Sequence, residues 1–173
     1  MIKKIGAILL TTSVLLGLTA CGGDGRYHDK ENNFSIDIPE GWTATEGTEG
    51  TAMMASSPRD SEEDLFNENF NVTIEELPYE VSLEEYANTG NEMLEQALGA
   101  GFSRHDTGTE TLNGVDAAWI SYGFSVENLT LEVIAYMLVK GTTAYVLTFG
   151  AAPESIETYR PIFQETAHSF VIE

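Results

Sequence analysis

The sequence holds one cysteine, Cys21. A framework of intrachain disulfides is therefore excluded, and stability has to come from packing. Basic residues are scarce: 8 Lys and Arg stand against 28 Asp and Glu, a formal net charge of −20. Nucleic-acid binding depends on Lys and Arg neutralising phosphates, so nucleic acid is excluded as a partner. The same charge repels anionic lipid headgroups within a Debye length of about 8 Å. No apolar run supplies the ~20 residues of a membrane-spanning helix; the uncharged stretch Ile5–Leu18 gives way to Gly-Gly-Asp-Gly just after Cys21. A Gly-x-Ser-x-Gly elbow, a zincin helix, a P-loop and a dinucleotide fingerprint are all missing, and His28, His105 and His168 are scattered without His-x₃-His spacing. The chain is not expected to be an enzyme or to carry a cofactor.

What is present begins with an export signal. Lys3 and Lys4 precede the apolar run, and Leu18-Thr19-Ala20-Cys21 closes it. A basic start, a short apolar stretch and small residues form a secretory leader. Its end resembles the bacterial lipobox, which implies diacylglyceryl transfer to the Cys21 thiol, cleavage before Cys21, and a mature protein acylated (palmitate included) at its first residue. The expected organisation is a lipoprotein signal peptide over 1–20, a lipidated tether over 21–26 and one domain over 27–173. The location expected from it is the extracytoplasmic face of the cell membrane. A single acyl chain binds membranes only marginally, so several chains on one residue make the anchor. Losing Lys3 and Lys4 takes the net charge from −20 to −22. The expected geometry is a body repelled by the bilayer and held near it by a few residues.

The domain shows a consistent α+β pattern. Phe34, Ile36 and Ile38 alternate with polar residues, the signature of a half-buried strand, and pair back through Lys30–Asn33 to Tyr27–Asp29. Thr51–Ser56 and the alternation of Phe70, Val72 and Ile74 give two more strands. Ser82-Leu83-Glu84-Glu85 has capping-box form, and Leu83, Tyr86, Ala87, Gly90, Leu94, Ala97 and Leu98 recur at helical spacing, which predicts a helix over 83–98. Asn113-Gly114 between Thr109–Leu112 and Val115–Tyr122 is a strong hairpin signal. A second hairpin joins Leu129–Lys140 to Thr142–Phe149 through Lys140-Gly141. In Leu129–Lys140, Leu131, Val133, Ala135, Met137 and Val139 share one face and Ile134, Tyr136 and Leu138 the other, which places that strand centrally, covered on both sides. A helix over about 153–167 follows, with Pro153 in its first turn and Pro161 expected to kink it. Ser169–Ile172 closes the chain as a strand. No repeat and no second domain is visible.

The run Phe34-Ser-Ile-Asp-Ile-Pro-Glu-Gly-Trp42 looks like the opening of PsbP-like (Mog/PsbP/DcrB-like) domains. The Asn113-Gly114 hairpin, Tyr145–Phe149, and Tyr159-Arg-Pro-Ile-Phe163 followed by Ser169-Phe170 are similar to the same family. The resemblance covers about Arg26 to the C-terminus. It implies an antiparallel sheet of about six strands with helices packed on its faces, and roles in binding and assembly rather than chemistry. The fold does not transfer a specific function.

Candidate sites are few. The acidic loop Asp60, Glu62, Glu63, Asp64 and Glu68 offers carboxylates to a hard cation such as weakly bound Ca²⁺ or to a basic partner; in so acidic a chain it also reads as a solvated loop. Trp42 is expected to cap the core. Trp119 shares a strand face with Ala117 and Ser121 and is expected to pack inward. Phe66 and Tyr79, if exposed together, form an apolar patch for a protein partner; separate burial is the alternative. The functional reading is a membrane-anchored, non-catalytic lipoprotein docking a membrane-proximal envelope protein. Its rival is a lipoprotein binding a small ligand or divalent cation, through the acidic loop or a helix–sheet pocket.

Overall fold

The structure, a computed structural model, describes residues 25–48, 50–59, 66–126 and 129–173. The leader, Cys21, and Asp60, Glu62, Glu63 and Asp64 of the acidic loop lie outside the described residues.

The alternation at Phe34–Ile38 builds a small sheet. β1 (Arg26–Asp29) pairs antiparallel with β2 (Phe34–Asp37), which also pairs with β10 (Val171–Ile172) from the far end of the chain. The other strands are β3 (Thr43–Glu46), β4 (Thr51–Ser56), β5 (Asn69–Glu76), β6 (Phe102–Leu112), β7 (Val115–Val126), β8 (Leu129–Lys140) and β9 (Thr143–Ala151). They form one antiparallel sheet in the order β3-β4-β5-β9-β8-β7-β6. The class is the expected α+β, with a larger principal sheet than six strands and a second small sheet beside it. β3 was not foreseen: Thr43-Ala-Thr-Glu46 offers one apolar side chain, Ala44, and only its pairing with β4 makes it a strand. β6 starts at Phe102 rather than near Thr109. Its outer residues are polar and exposed, so hydrophobic alternation could not mark them, and the hydrogen-bond ladder to β7 defines the strand.

β8 lies between β9 and β7, and each of its faces feeds a separate core. Ile134, Tyr136 and Leu138 join Leu147 and Phe149 of β9 and Phe70 of β5 in the first. Leu131, Val133, Ala135 and Met137 join Ile120, Tyr122 and Phe124 of β7 in the second. The helix α1 (Leu83–Leu98) covers the second core with Ala87 and the half-buried Leu83, Tyr86, Leu94 and Leu98. The Ser82 hydroxyl accepts from the Glu85 N–H at 3.1 Å, satisfying one of the free donors of the first turn.

The helix α2 (Ile156–Ser169) covers the first core with Ile156, Phe163 and Ala167. It starts three residues later than the proline signal suggested; Pro153 sits in the turn before it. The helix runs on through Pro161, which is exposed and has no N–H to give the Glu157 carbonyl. Trp42 closes the end of this core as expected, with ring centroids 6.0 Å from Phe70, 6.1 Å from Tyr159 and 6.4 Å from Phe163.

The β6–β7 turn does more than reverse the chain. Asn113 (φ 46°) and Gly114 (φ 84°) take the left-handed conformations of a tight hairpin. The Asn113 amide then donates to the carbonyls of His168 and Phe170, at 2.6 and 2.9 Å. It ties the end of α2, and through β10 the small sheet, to the principal sheet. Asn113→Gly keeps the backbone conformation and removes both bonds; it is expected to lower unfolding stability by about 1–3 kcal/mol, read from urea denaturation midpoints at unchanged slope.

Candidate functional site

Strand alternation decides which side chains lie beneath α2. Register pairs Glu110 with Ala117, Gly108 with Trp119, Trp119 with Tyr136, Ser121 with Ile134, and Gly123 with Glu132. Opposed residues share a face, so β6, β7 and β8 present Glu110, Gly108, Trp119, Ser121, Glu132, Ile134 and Tyr136 on the α2 side. Helix α2 packs over β8 and β9 and leaves a cleft toward the β6 edge. Its volume is about 110 Å³, and Glu110, Trp119, Ser121, Ile134, Tyr136, Arg160 and Gln164 line it. Arg160 and Gln164 are four residues apart and so stand on one helix face.

Gly108 makes room for the indole. A Cβ there would lie 2.8 Å from ring atoms of Trp119, so the indole lies across the glycine and holds its place on the cleft wall. Two polar residues of the cleft are buried. Tyr136 is 2 % exposed and Ser121 7 %, and neither hydroxyl has a hydrogen-bond partner among the described residues. Among the described residues no fully enclosed side-chain N or O lacks a partner, so both hydroxyl oxygens keep some exposure, at the cleft their residues line.

The charged groups around them are internally paired. Glu110 lies 2.9 Å from His168 Nε2, and His168 Nδ1 lies 2.7 Å from the Gln164 carbonyl oxygen. Arg160 is held by Glu157 at 2.9 Å. Further along the sheet His105 meets Glu132 at 2.8 Å, above Gly123; the bulge between Arg104 and Asp106 carries His105 into that position.

Burial pushes the Tyr136 hydroxyl up to about 12; Glu110 adds to the rise and Arg160 opposes it. On the opposite face burial alone lifts Tyr122 to about 12. Tyr86 is raised as well, by burial and then by Glu75, whose carboxylate accepts its hydroxyl at 2.9 Å.

α2 borders a second depression on its other flank. A groove of about 450 Å³ runs between the helix and the turn after β2, lined by Asp37, Ile38, Pro39, Glu40, Trp42, Ile162, Glu165 and Thr166. Asp37 is ion-paired to Arg26. Glu40 and Glu165 are exposed and make no ion pair among the described residues.

The expected site residues are dispersed. Glu68, the described member of the acidic set, is 2 % exposed and accepts from the Ser57 hydroxyl at 3.3 Å. Among the described residues no group of three or more His, Cys, Asp or Glu is arranged to hold a metal ion. Phe66 and Tyr79 do not form one patch. Phe66 precedes β5 and packs half-buried against the second core, while Tyr79 follows it, 63 % exposed. The eight residues of β5 hold them apart by roughly 25 Å. Trp119 packs inward as expected, half-buried against the first core. Sequence reasoning missed Glu110, Tyr136, Arg160 and Gln164 as site residues. The i, i+4 spacing of the last two was visible; their position opposite Tyr136 was not.

Two outcomes follow. Gly108→Ala is expected to displace Trp119, shift tryptophan emission to the red, and cost about 1–3 kcal/mol. The second concerns alkali. Tyr122 and Tyr136 keep their protons in the folded state after unfolded tyrosines, at 10.0, have lost theirs. Their contribution to stability is complete below pH 10 and is lost as pH rises toward about 12. Denaturation midpoints should fall across that interval, with tyrosinate absorbance appearing late and together with unfolding.

The family model for PsbP matches residues 23–172. No curated protein matches the chain. Among solved structures, cyanobacterial PsbP (CyanoP) from Synechocystis sp. PCC 6803 superposes with a TM-score of 0.66 at 20 % identity, over 91 % of this chain and 99 % of that one. LpqN of Mycobacterium tuberculosis, involved in cell envelope biogenesis, gives 0.63 at 13 % identity over 84 % and 88 %. The Ran-binding protein Mog1p of Saccharomyces cerevisiae gives 0.58 at 12 % identity over 85 % and 94 %. At these identities the likeness is one of fold.

Proposed function

Because this chain belongs to the PsbP family, we propose that it is a non-catalytic lipoprotein, anchored through Cys21 on the extracytoplasmic face of the cell membrane, that docks a membrane-proximal envelope protein. One contact carries the reading. Arg26, five residues after Cys21, is ion-paired to Asp37 in the wall of the groove beside α2. Five extended residues reach roughly 17 Å. An acyl anchor on Cys21 therefore keeps that groove close to the bilayer, on the side where a membrane-bound partner is met.

The groove's chemistry states what it would take. Ile38, Pro39, Trp42 and Ile162 give it apolar walls, and Glu40 and Glu165 add exposed carboxylates that make no ion pair among the described residues. A segment carrying Lys or Arg between apolar side chains suits such walls, with the cation near the indole. The net charge of −20 favours the same kind of partner. A binding reading also agrees with the histidine contacts: His105 and His168 each face a glutamate. Mog1p is a Ran-binding protein and LpqN acts in envelope biogenesis, which supports a binding role on this scaffold.

Cys21→Ser is expected to leave thermal unfolding unchanged and to move the protein from the membrane to the soluble fraction after a high-salt wash; retention in the membrane would remove the anchor. Crosslinking in native membranes is expected to capture a reproducible envelope protein with the wild type and to lose it with Glu40→Lys/Glu165→Lys. Capture that is unaffected by the double substitution would take the docking role away from this groove.

A further inference from the structure

The cleft on the opposite flank of α2 is built as a site in its own right. We propose that it binds a single neutral, polyhydroxylated ring: a sugar residue, free or as the terminal unit of a glycan.

The hydroxyls of two buried residues, Ser121 and Tyr136, which have no partner among the described residues, form its floor. Each hydroxyl keeps some access to solvent at the cleft, and an occupant that displaces this solvent has to replace its hydrogen bonds. An apolar occupant would leave them unpaired and is disfavoured. A charged occupant is disfavoured for a different reason. Glu110 already faces His168 and Arg160 already faces Glu157, so a charged ligand would compete with partners in place, and a chain at −20 repels anions. The remaining choice is a neutral molecule that both donates and accepts hydrogen bonds.

The walls fit such a molecule. Hydroxyl groups on a ring find Ser121 and Tyr136 on the floor. The Glu110 carboxylate accepts from one side, and the Arg160 guanidinium and the Gln164 amide donate from the helix side. Trp119, held across Gly108, presents an aromatic surface for the apolar C–H face of the ring. Size limits the ligand further. A volume of about 110 Å³ is well under the roughly 300–1,000 Å³ of pockets that enclose drug-sized ligands. The cleft seats one ring, partly in solvent, with millimolar affinity. None of these residues lines the groove beside Trp42, so this site stands or falls independently of protein docking.

Saturation-transfer NMR on the full-length protein in phosphatidylcholine vesicles tests it, with glucose, mannose and N-acetylglucosamine as probes and with serine and succinate as zwitterionic and anionic comparisons. The expected result is transfer to the ring protons of at least one sugar, Kd about 1–10 mM, with none to serine or succinate. Tyr136→Phe keeps the ring in the core and Ser121→Ala the strand; each is expected to weaken binding about 5-fold at an unchanged melting temperature. Trp119→Phe reduces transfer to one face of the sugar. Absence of transfer from every sugar at roughly 50 mM, transfer that both hydroxyl deletions leave intact, or preferential binding of serine or succinate would each overturn the assignment.

Discussion

Two-sided burial of β8 is the constraint on which the rest of the molecule depends. A strand with apolar side chains on both faces needs a hydrogen-bonded neighbour at each edge and a cover on each side. β7 and β9 supply the edges. α1 covers one face, and α2 with the small sheet covers the other. This division produces two cores in a domain without a disulfide. It also fixes where polar groups can gather: at the margin of the α2 cover, where the sheet extends beyond the helix.

α2 is the pivot between packing and surface chemistry. Its apolar stripe of Ile156, Phe163 and Ala167 seals the first core. Its two flanks face different depressions. Ile162, Glu165 and Thr166 border the groove near the N-terminus of the domain, while Arg160 and Gln164 border the cleft over β7 and β8. The helix is held at its end by Asn113, and Arg26 donates to the Ser169 carbonyl at 2.8 Å. Contacts about 55 and 143 residues apart in sequence thus set the geometry of both candidate surfaces. Neither depression is formed by α2 or the sheet alone.

The ion pairs around the cleft illustrate why charge counting says little about such a surface. In a chain with 28 acidic residues and 8 Lys and Arg, three histidines are the natural partners for some carboxylates, and each of them contacts a glutamate: His28 with Glu173, His105 with Glu132, His168 with Glu110. Each pair bridges residues that are distant in sequence. Exposed pairs of this kind contribute little to stability; of the three, the His168–Glu110 pair borders the cleft.

The sequence by itself determined most of the elements and both faces of β8. Alternation, the capping box at Ser82 and the Asn113-Gly114 signal are local, and local sterics and hydrogen bonding act on neighbouring residues. It also marked Trp119 as facing inward with Ser121. Tertiary structure decided everything that required two distant segments to meet. β3 and the outer half of β6 exist because a neighbouring strand supplies their hydrogen bonds, not because their side chains alternate. Phe66 and Tyr79 fall at opposite ends of β5, which no local pattern could reveal. Ser121 and Tyr136 became a candidate site only when α2 covered the rest of their face and left their hydroxyls at a cleft, without a partner among the described residues. Burial is a property of the assembled layers, and a hydroxyl left facing a cleft can be recognised only once they are in place.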